Sequence, residues 1–208
     1  MEETTLCVVE DHPVLREALS LMLGHDGFRV LGGANTAADG FELVVRSRPD
    51  VAIVDLLLGE DRGDELARLL LAALPELKVV VFTGSEQHAD LELVLECGAQ
   101  GVVSKTAPPE DLRAALRLVA AGGTYVDQRV TAVLATQRKA VSDLRLSARE
   151  REVLVLLARG MTIDQTASML GLSPETVRTH ARNAGRRLGG RSRVHTIALA
   201  LASGEIAI

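Results

Sequence analysis

Between residues 6 and 122, short apolar runs alternate five times with stretches of helical periodicity, and that alternation leaves few folds open. The runs at 6–9, 28–31, 51–54, 78–83 and 101–104 are mostly apolar and carry little of the in-out alternation of a half-exposed strand. Strands of that kind are covered on both faces, as in parallel sheets flanked by helices. Pro13 opens a helical pattern that stops at Gly24, and a second spans about 36–46. A third runs from about Gly63 to Leu74, ahead of Pro75, and a fourth over 87–97 is capped by Gly98. Pro109 opens the last, which ends at Gly122-Gly123. The expected fold is an α/β doubly wound, five-stranded parallel sheet with helices on both faces.

In an open parallel sheet every strand delivers its carboxyl end to one edge, where ligands bind. Here four of the five strands end in a chemically capable residue: Glu10-Asp11, Asp55, Thr83 and Lys105. Each taken alone could be an ordinary polar strand terminator, but together they place three carboxylates, a hydroxyl and an ammonium on one edge. Three clustered carboxylates raise one another's pKa unless a cation neutralises them. Mg2+ suits such oxygen donors, with Glu10 and Asp11 holding it. Asp55 is then placed to attack phosphorus, while Lys105 and the Thr83 hydroxyl offset and hydrogen-bond the transferred oxygens.

These residues resemble the motif set of the receiver domain of two-component response regulators over about residues 4–122. Gly63, eight residues after Asp55, belongs to the same pattern. The resemblance implies a flavodoxin-like receiver with Asp55 as phosphoacceptor and a metal shell of Glu10, Asp11, Asp55 and the backbone carbonyl of Leu57. Thr83 and Lys105 would bind the phosphoryl group. Two positions depart from the family. Gly59 stands where a proline is usual, and Val102 stands where an aromatic side chain usually swings inward on phosphorylation.

Charge divides the chain. Residues 1–122 hold 10 Lys+Arg against 21 Asp+Glu, a net of −11, whereas residues 123–208 hold 13 against 7, a net of +6. Opposite signs point to two domains, the second with an anionic partner, most often nucleic acid. At low salt the acidic half could mask the basic one. Cys7 and Cys97 lack metal-ligand spacing and read as small core residues, no run is long and apolar enough for a membrane span, and the N-terminus is acidic where a signal peptide would be basic. A cytoplasmic protein is expected. The domains are expected at 1–122, 123–145 (a linker with one possible helix and a polar Gln137-Arg138-Lys139 patch) and 146–208.

The basic half carries two capping boxes, Ser147 with Glu150 and Thr162 with Gln165, and a third helix start at Ser173-Pro174-Glu175. Two short helices joined at Gly171, the second rich in arginine, make a helix-turn-helix pattern in a small all-α domain. Arg178 and Arg182 lie four apart on one face of the second helix, with Thr179 between them. They are suited to base edges, and Arg186, Arg187, Arg191 and Arg193 to phosphates. A solvated basic helix face is the plainer alternative.

Leu146-Ser147-Ala148-Arg149-Glu150-Arg151-Glu152-Val153-Leu154, Gly160, Ala167, Leu170, Ser173, Thr176-Val177-Arg178, His180, Leu188-Gly189 and Ser192-Arg193 closely resemble the LuxR-type DNA-binding domain over about residues 144–204. Joined to a receiver, this implies a NarL/FixJ-class transcriptional regulator. Arg178, Thr179 and Arg182 would fall on base-reading positions, and the last helix, about 193–202 with Val194, Ile197, Ala198 and Leu201, on a dimerisation surface. Implied partners are a sensor histidine kinase, double-stranded DNA carrying an inverted repeat, and a second copy of the chain, with no membrane. Such a chain is not an enzyme beyond accepting and slowly releasing phosphate. Two alternatives stand beside it. The receiver could be a constitutive dimerisation module, given Val102 and Gly59, or the chain could be a Mg2+-dependent phosphohydrolase. The latter lacks a second acid two residues after Asp55, where Leu57 sits.

Overall fold

A computed structural model of the chain describes residues 3–137 and 146–208. Arg138 and Lys139, with the rest of the linker to residue 145, lie outside the described residues. The chain runs β1 (Thr5–Val9), α1 (Pro13–His25), β2 (Arg29–Ala34), α2 (Ala37–Ser47), β3 (Val51–Asp55), a short hairpin of β4 (Leu57–Leu58) and β5 (Asp61–Arg62), then α3 (Gly63–Ala73), β6 (Lys78–Thr83), α4 (His88–Glu96), β7 (Gly101–Ser104), α5 (Pro109–Ala120), β8 (Tyr125–Val126) and α6 (Gln128–Gln137). Helices α7 (Ala148–Ala158), α8 (Ile163–Leu170), α9 (Pro174–Leu188) and α10 (Arg193–Ala202) complete it.

The sheet is parallel in the order β2-β1-β3-β6-β7-β8. It therefore has one strand more than the five expected. The sixth comes from the stretch read as linker: Tyr125 and Val126 pair with Gly101 and Val102 at the sheet edge. Alternation along the strands splits the core in two. Cys7, Val9, Ala52, Val54, Val79, Val81 and Val102 face one side, under α2, α3, α4 and α6. Leu6, Val8, Val51, Ile53, Val80, Phe82 and Val103 face the other, under α1 and α5. A residue moved one place along any strand would leave one core for the other.

The helical domain has its own core around Val153, Leu154, Leu157, Val177, Ala184 and Ile197. Both expected capping boxes are formed, and Ser173 caps α9 by accepting from the Thr176 amide. Helix α10 belongs to two cores at once. Ile197, Leu199 and Ala200 pack within the helical domain, whereas Val194 and Ala198 are buried in the receiver-side core with Leu91, Val94, Leu95, Val130 and Leu134. A second contact between the halves lies at the turn between α7 and α8. There Gly160 is so close to Gly123 that a β-carbon on Gly123 would sit 2.4 Å from the Gly160 carbonyl oxygen. Among the described residues no helix is long and apolar enough to cross a membrane.

Candidate phosphoacceptor site and DNA interface

Each strand-end residue reaches the sheet edge because the apolar strand behind it is pinned in the core. Asp55 closes β3, whose five residues are all buried, and is itself 3% exposed. Glu10 follows β1 and is 1% exposed, its backbone amide donating to the Ala34 carbonyl at 3.0 Å. Lys105 lies between them, with Nζ 2.7 Å from Asp55 Oδ2 and 2.9 Å from Glu10 Oε2. The Lys105 amide donates to the Thr83 carbonyl at 2.7 Å, so the ends of β6 and β7 are fixed to each other. Thr83 is buried, and its hydroxyl oxygen accepts from the Ser85 amide at 3.0 Å.

The charges explain the titration behaviour. Burial pushes the Asp55 carboxyl above its ordinary range and Glu10 adds to this, while Lys105 draws it back without cancelling the effect. Burial acts against the charge on Lys105, but its hydrogen bonds to Asp55 and Glu10 outweigh it and hold the ammonium above its usual value. Two buried carboxylates thus share one cation, and Asp11 stands beside them. One carboxylate oxygen each from Glu10, Asp11 and Asp55 and one ring nitrogen of His12 all lie within 4.8 Å of one another. A donor set dominated by oxygen, with more negative than positive charge, suits a hard divalent ion.

The loop after Asp55 is shaped by a glycine. Gly59 turns the β4-β5 hairpin at φ 66° and donates its amide to Asp11 Oδ2 at 3.2 Å. A proline at this place would lack that donor. The Leu57 amide reaches Asp55 Oδ1 at 3.4 Å. Gly63 opens α3 against the backbone of Asp55 itself, with its amide on the Leu56 carbonyl at 2.8 Å. Val102 is fully buried among aliphatic neighbours.

Several residues at the site escaped the sequence reading. His12 bonds Asp11 at 2.7 Å, and Arg16 donates to the Glu10 carbonyl at 2.6 Å. The adjacency of His12 to the acidic pair was a usable signal for the first, and Arg16, one turn into α1, offered none. Ser85, Asp90, Arg62 and Asp64 form a network beside Thr83, but their separations in sequence follow no period.

In the helical domain Arg178, Arg182 and Arg186 form one exposed row on α9, with Thr179 half-buried beside them. The three arginines of the row line a concavity of about 490 Å³ together with Arg191 and Arg193. Burial pulls the Arg193 guanidinium below its usual value, and among the described residues it has no ion pair. Arg187 points elsewhere: its Nε donates to buried Glu150 at 3.2 Å, which ties α9 to α7. The expected mask of the acidic half over the basic half takes a restricted form. Only Arg191 meets a receiver-side acid among the described residues, Glu96 at 2.8 Å, while the α9 row stays open. Of the four residues expected on the last helix's surface, Val194 and Ala198 lie under α4 and α6, and Ile197 and Leu201 lie against the helical domain's own core.

Comparison with known proteins agrees with both halves. The response regulator receiver domain family matches residues 6–117, and the family of bacterial regulatory proteins, luxR family, matches residues 144–200. The DNA-binding transcriptional activator DevR/DosR of Mycobacterium tuberculosis is 32% identical over 93% of this chain and 92% of its own length. The oxygen regulatory protein NreC of Staphylococcus aureus is 30% identical over 94% of this chain and 96% of its own. Among solved structures, RcsB of Salmonella enterica serovar Typhimurium bound to a promoter superposes with a TM-score of 0.59. It is 25% identical, over 98% of this chain and all of that one.

Proposed function

This chain belongs to the response regulators with a LuxR-type DNA-binding domain, a family of transcription regulators, and we propose that Asp55 is its phosphoacceptor and that phosphorylation controls dimerisation and DNA binding. The observation that carries this reading is the buried triangle of Asp55, Lys105 and Glu10 at the carboxyl edge of the sheet. An Asp55 oxygen forms the new P–O bond as the P–N bond of a kinase phosphohistidine, or the P–O bond of a small acyl phosphate, breaks. The leaving group departs with the electron pair. Lys105 Nζ, already 2.7 Å from Asp55, neutralises the incoming phosphoryl oxygens, and the Thr83 hydroxyl turns to donate to one of them.

Glu10, Asp11, Asp55 and the Leu57 carbonyl would hold Mg2+, in keeping with the oxygen-rich set around Asp55. Bound there, the ion would neutralise charge developing on the transferred group. Gly59, by presenting its amide to Asp11, holds that carboxylate toward the site.

On the DNA side, Arg178, Thr179 and Arg182 read base edges in the major groove, and Arg186 and Arg193 bind phosphates. Arg187 contributes mainly by fixing α9 through Glu150. A sensor histidine kinase supplies the phosphate in the cytoplasm, and two copies, joined through α10, bind an inverted repeat. Because Val194 and Ala198 are buried against the receiver in this arrangement, α10 has to leave that surface before it can join two copies.

Intact-mass measurement of the full chain and its Asp55→Asn variant after incubation with acetyl phosphate and Mg2+ tests the reading. A gain of one phosphoryl group confined to the parent supports it. No gain, or a gain that persists in the variant, removes Asp55 from the role.

A further inference from the structure

The two loops that border Asp55 converge on a single carboxylate, Asp90, in the first turn of α4. From one side, the Ser85 amide donates to the Thr83 hydroxyl oxygen at 3.0 Å, and the Ser85 hydroxyl donates to Asp90 Oδ2 at 2.7 Å. From the other side Arg62, which ends the hairpin that follows Asp55, donates to Asp90 Oδ1 at 3.0 Å and to buried Asp64 at 2.8 Å. Both Asp90 oxygens are thus held, one by each loop. The remaining terminal nitrogen of Arg62, Nη2, is buried and makes no hydrogen bond among the described residues.

The far end of the same helix holds the DNA-binding half. The Leu95 carbonyl accepts from the Ser192 hydroxyl at 2.5 Å, and Glu96 pairs with Arg191 at 2.8 Å. Ser192 is also the cap of α10, its oxygen accepting from the His195 amide at 2.9 Å. Helix α4 has nine residues and is therefore about 13 Å long, a rigid link between the two contacts. Its buried Leu91, Val94 and Leu95 lie in the core that takes in Val194 and Ala198 of α10. Val102 behind it is aliphatic and fully buried, with no ring to reorient and no polar atom to relay a change.

We propose that Ser85 and Asp90 couple the phosphorylation state of Asp55 to the seal between α4 and α10. This rests on the phosphoacceptor reading above. When Thr83 turns its hydroxyl toward a phosphoryl group on Asp55, the Ser85 amide bonded to it moves and the Ser85 hydroxyl leaves Asp90. Arg62 then holds Asp90 alone, the first turn of α4 shifts, and its last turn lets go of Ser192 and Arg191. Neither residue touches the reacting atoms, so each acts by positioning.

The test uses the full chain and its Ser85→Ala and Asp90→Asn variants, with acetyl phosphate and Mg2+. It reads intact mass and the hydrogen exchange of α10 amides on the same samples. Ser85→Ala keeps the backbone amide on Thr83 and removes the bond to Asp90 together with the exposed bond that the Ser85 hydroxyl accepts from the Gln87 amide at 3.2 Å, so it remains informative should Asp90→Asn fold poorly. In the parent, phosphorylation is expected to speed α10 exchange about tenfold, as local opening would. Variants that gain the phosphoryl group as the parent does, yet keep one α10 exchange rate in both states, support the proposal. Variants that gain it and still respond tenfold overturn the coupling role while leaving the phosphoacceptor intact. A parent that gains no mass overturns both.

Discussion

Gly63→Ala tests how closely the α3 start is fitted against Asp55, the proposed phosphoacceptor. A β-carbon on Gly63 would stand 1.8 Å from the Asp55 carbonyl oxygen, 2.8 Å from its carbonyl carbon and 3.0 Å from Val54 Cγ1. Ordinary contact begins near 3.4 Å, so strand and helix must separate by roughly 1.5 Å, given how steeply repulsion rises inside contact. Retreat is opposed by the Gly63 amide's hydrogen bond to the Leu56 carbonyl. Overpacking of this kind costs about 1–3 kcal/mol, and with backbone as the obstacle the upper end applies. At about 2–4 °C per kcal/mol for a chain of this size, the melting temperature falls by about 6–12 °C. Displacement of Asp55 by about 1 Å also slows phosphoryl uptake by up to about a hundredfold. Calorimetry and timed intact-mass measurements read the two effects. Without the close approach, alanine at the first residue of a helix would instead stabilise the fold by about 0.4–1 kcal/mol through the unfolded chain. A raised melting temperature with parental uptake would therefore refute the argument outright.

Other substitutions probe the remaining contacts. Gly123→Ala places a β-carbon 2.4 Å from the Gly160 carbonyl oxygen and 2.9 Å from that of Leu118. It is expected to loosen the contact between the halves and speed α10 exchange without slowing phosphoryl uptake, and unchanged α10 protection would count against it. Arg182→Ala should weaken binding to an in vitro selected operator by about 1–3 kcal/mol and relax preference at one base pair. Arg186→Ala should weaken all sequences alike and reduce the salt slope by about 1. Fluorescence anisotropy at several salt concentrations separates these two, and identical salt slopes for both variants would contradict the assignment. The Ser85 hydroxyl, with Arg62, holds the Asp90 carboxyl below its ordinary range against the opposing effect of burial. A folded pKa below the unfolded one makes the ionised group stabilising above the ordinary aspartate value of about 3.9. The stability gap between the parent and Asp90→Asn should accordingly be present at neutral pH and close as pH falls through that value and below. Urea unfolding across pH checks it, and a gap that widens in acid would reverse the assigned sign.

The strands and the strand-end residues could be read from the chain because each rests on a local pattern. An apolar run such as Val51 to Val54 can end in only one place, and the parallel arrangement then brings Glu10, Asp55, Thr83 and Lys105 to one edge. The caps at Ser147, Thr162 and Ser173 are equally local, three residues from donor to acceptor. What escaped depends on partners distant in sequence. The two-residue strand at Tyr125 and Val126 is too short to show a period and exists because β7 offers it an open edge. The bond from Arg187 to Glu150, 37 residues away, likewise has no signal near it in sequence. The apolar face of α10 was evident, but apolarity alone does not name its cover. A second copy and the α4-α6 surface satisfy Val194 and Ala198 equally well.

That choice of cover is the centre of the account, and light scattering of the full chain measures it most directly. Parent and Asp55→Asn are compared before and after acetyl phosphate with Mg2+. Monomers are expected throughout, except for the phosphorylated parent, which becomes a dimer as α10 leaves the receiver. A parent already dimeric without phosphate, or one that gains the phosphoryl group and stays monomeric on and off DNA, would contradict it.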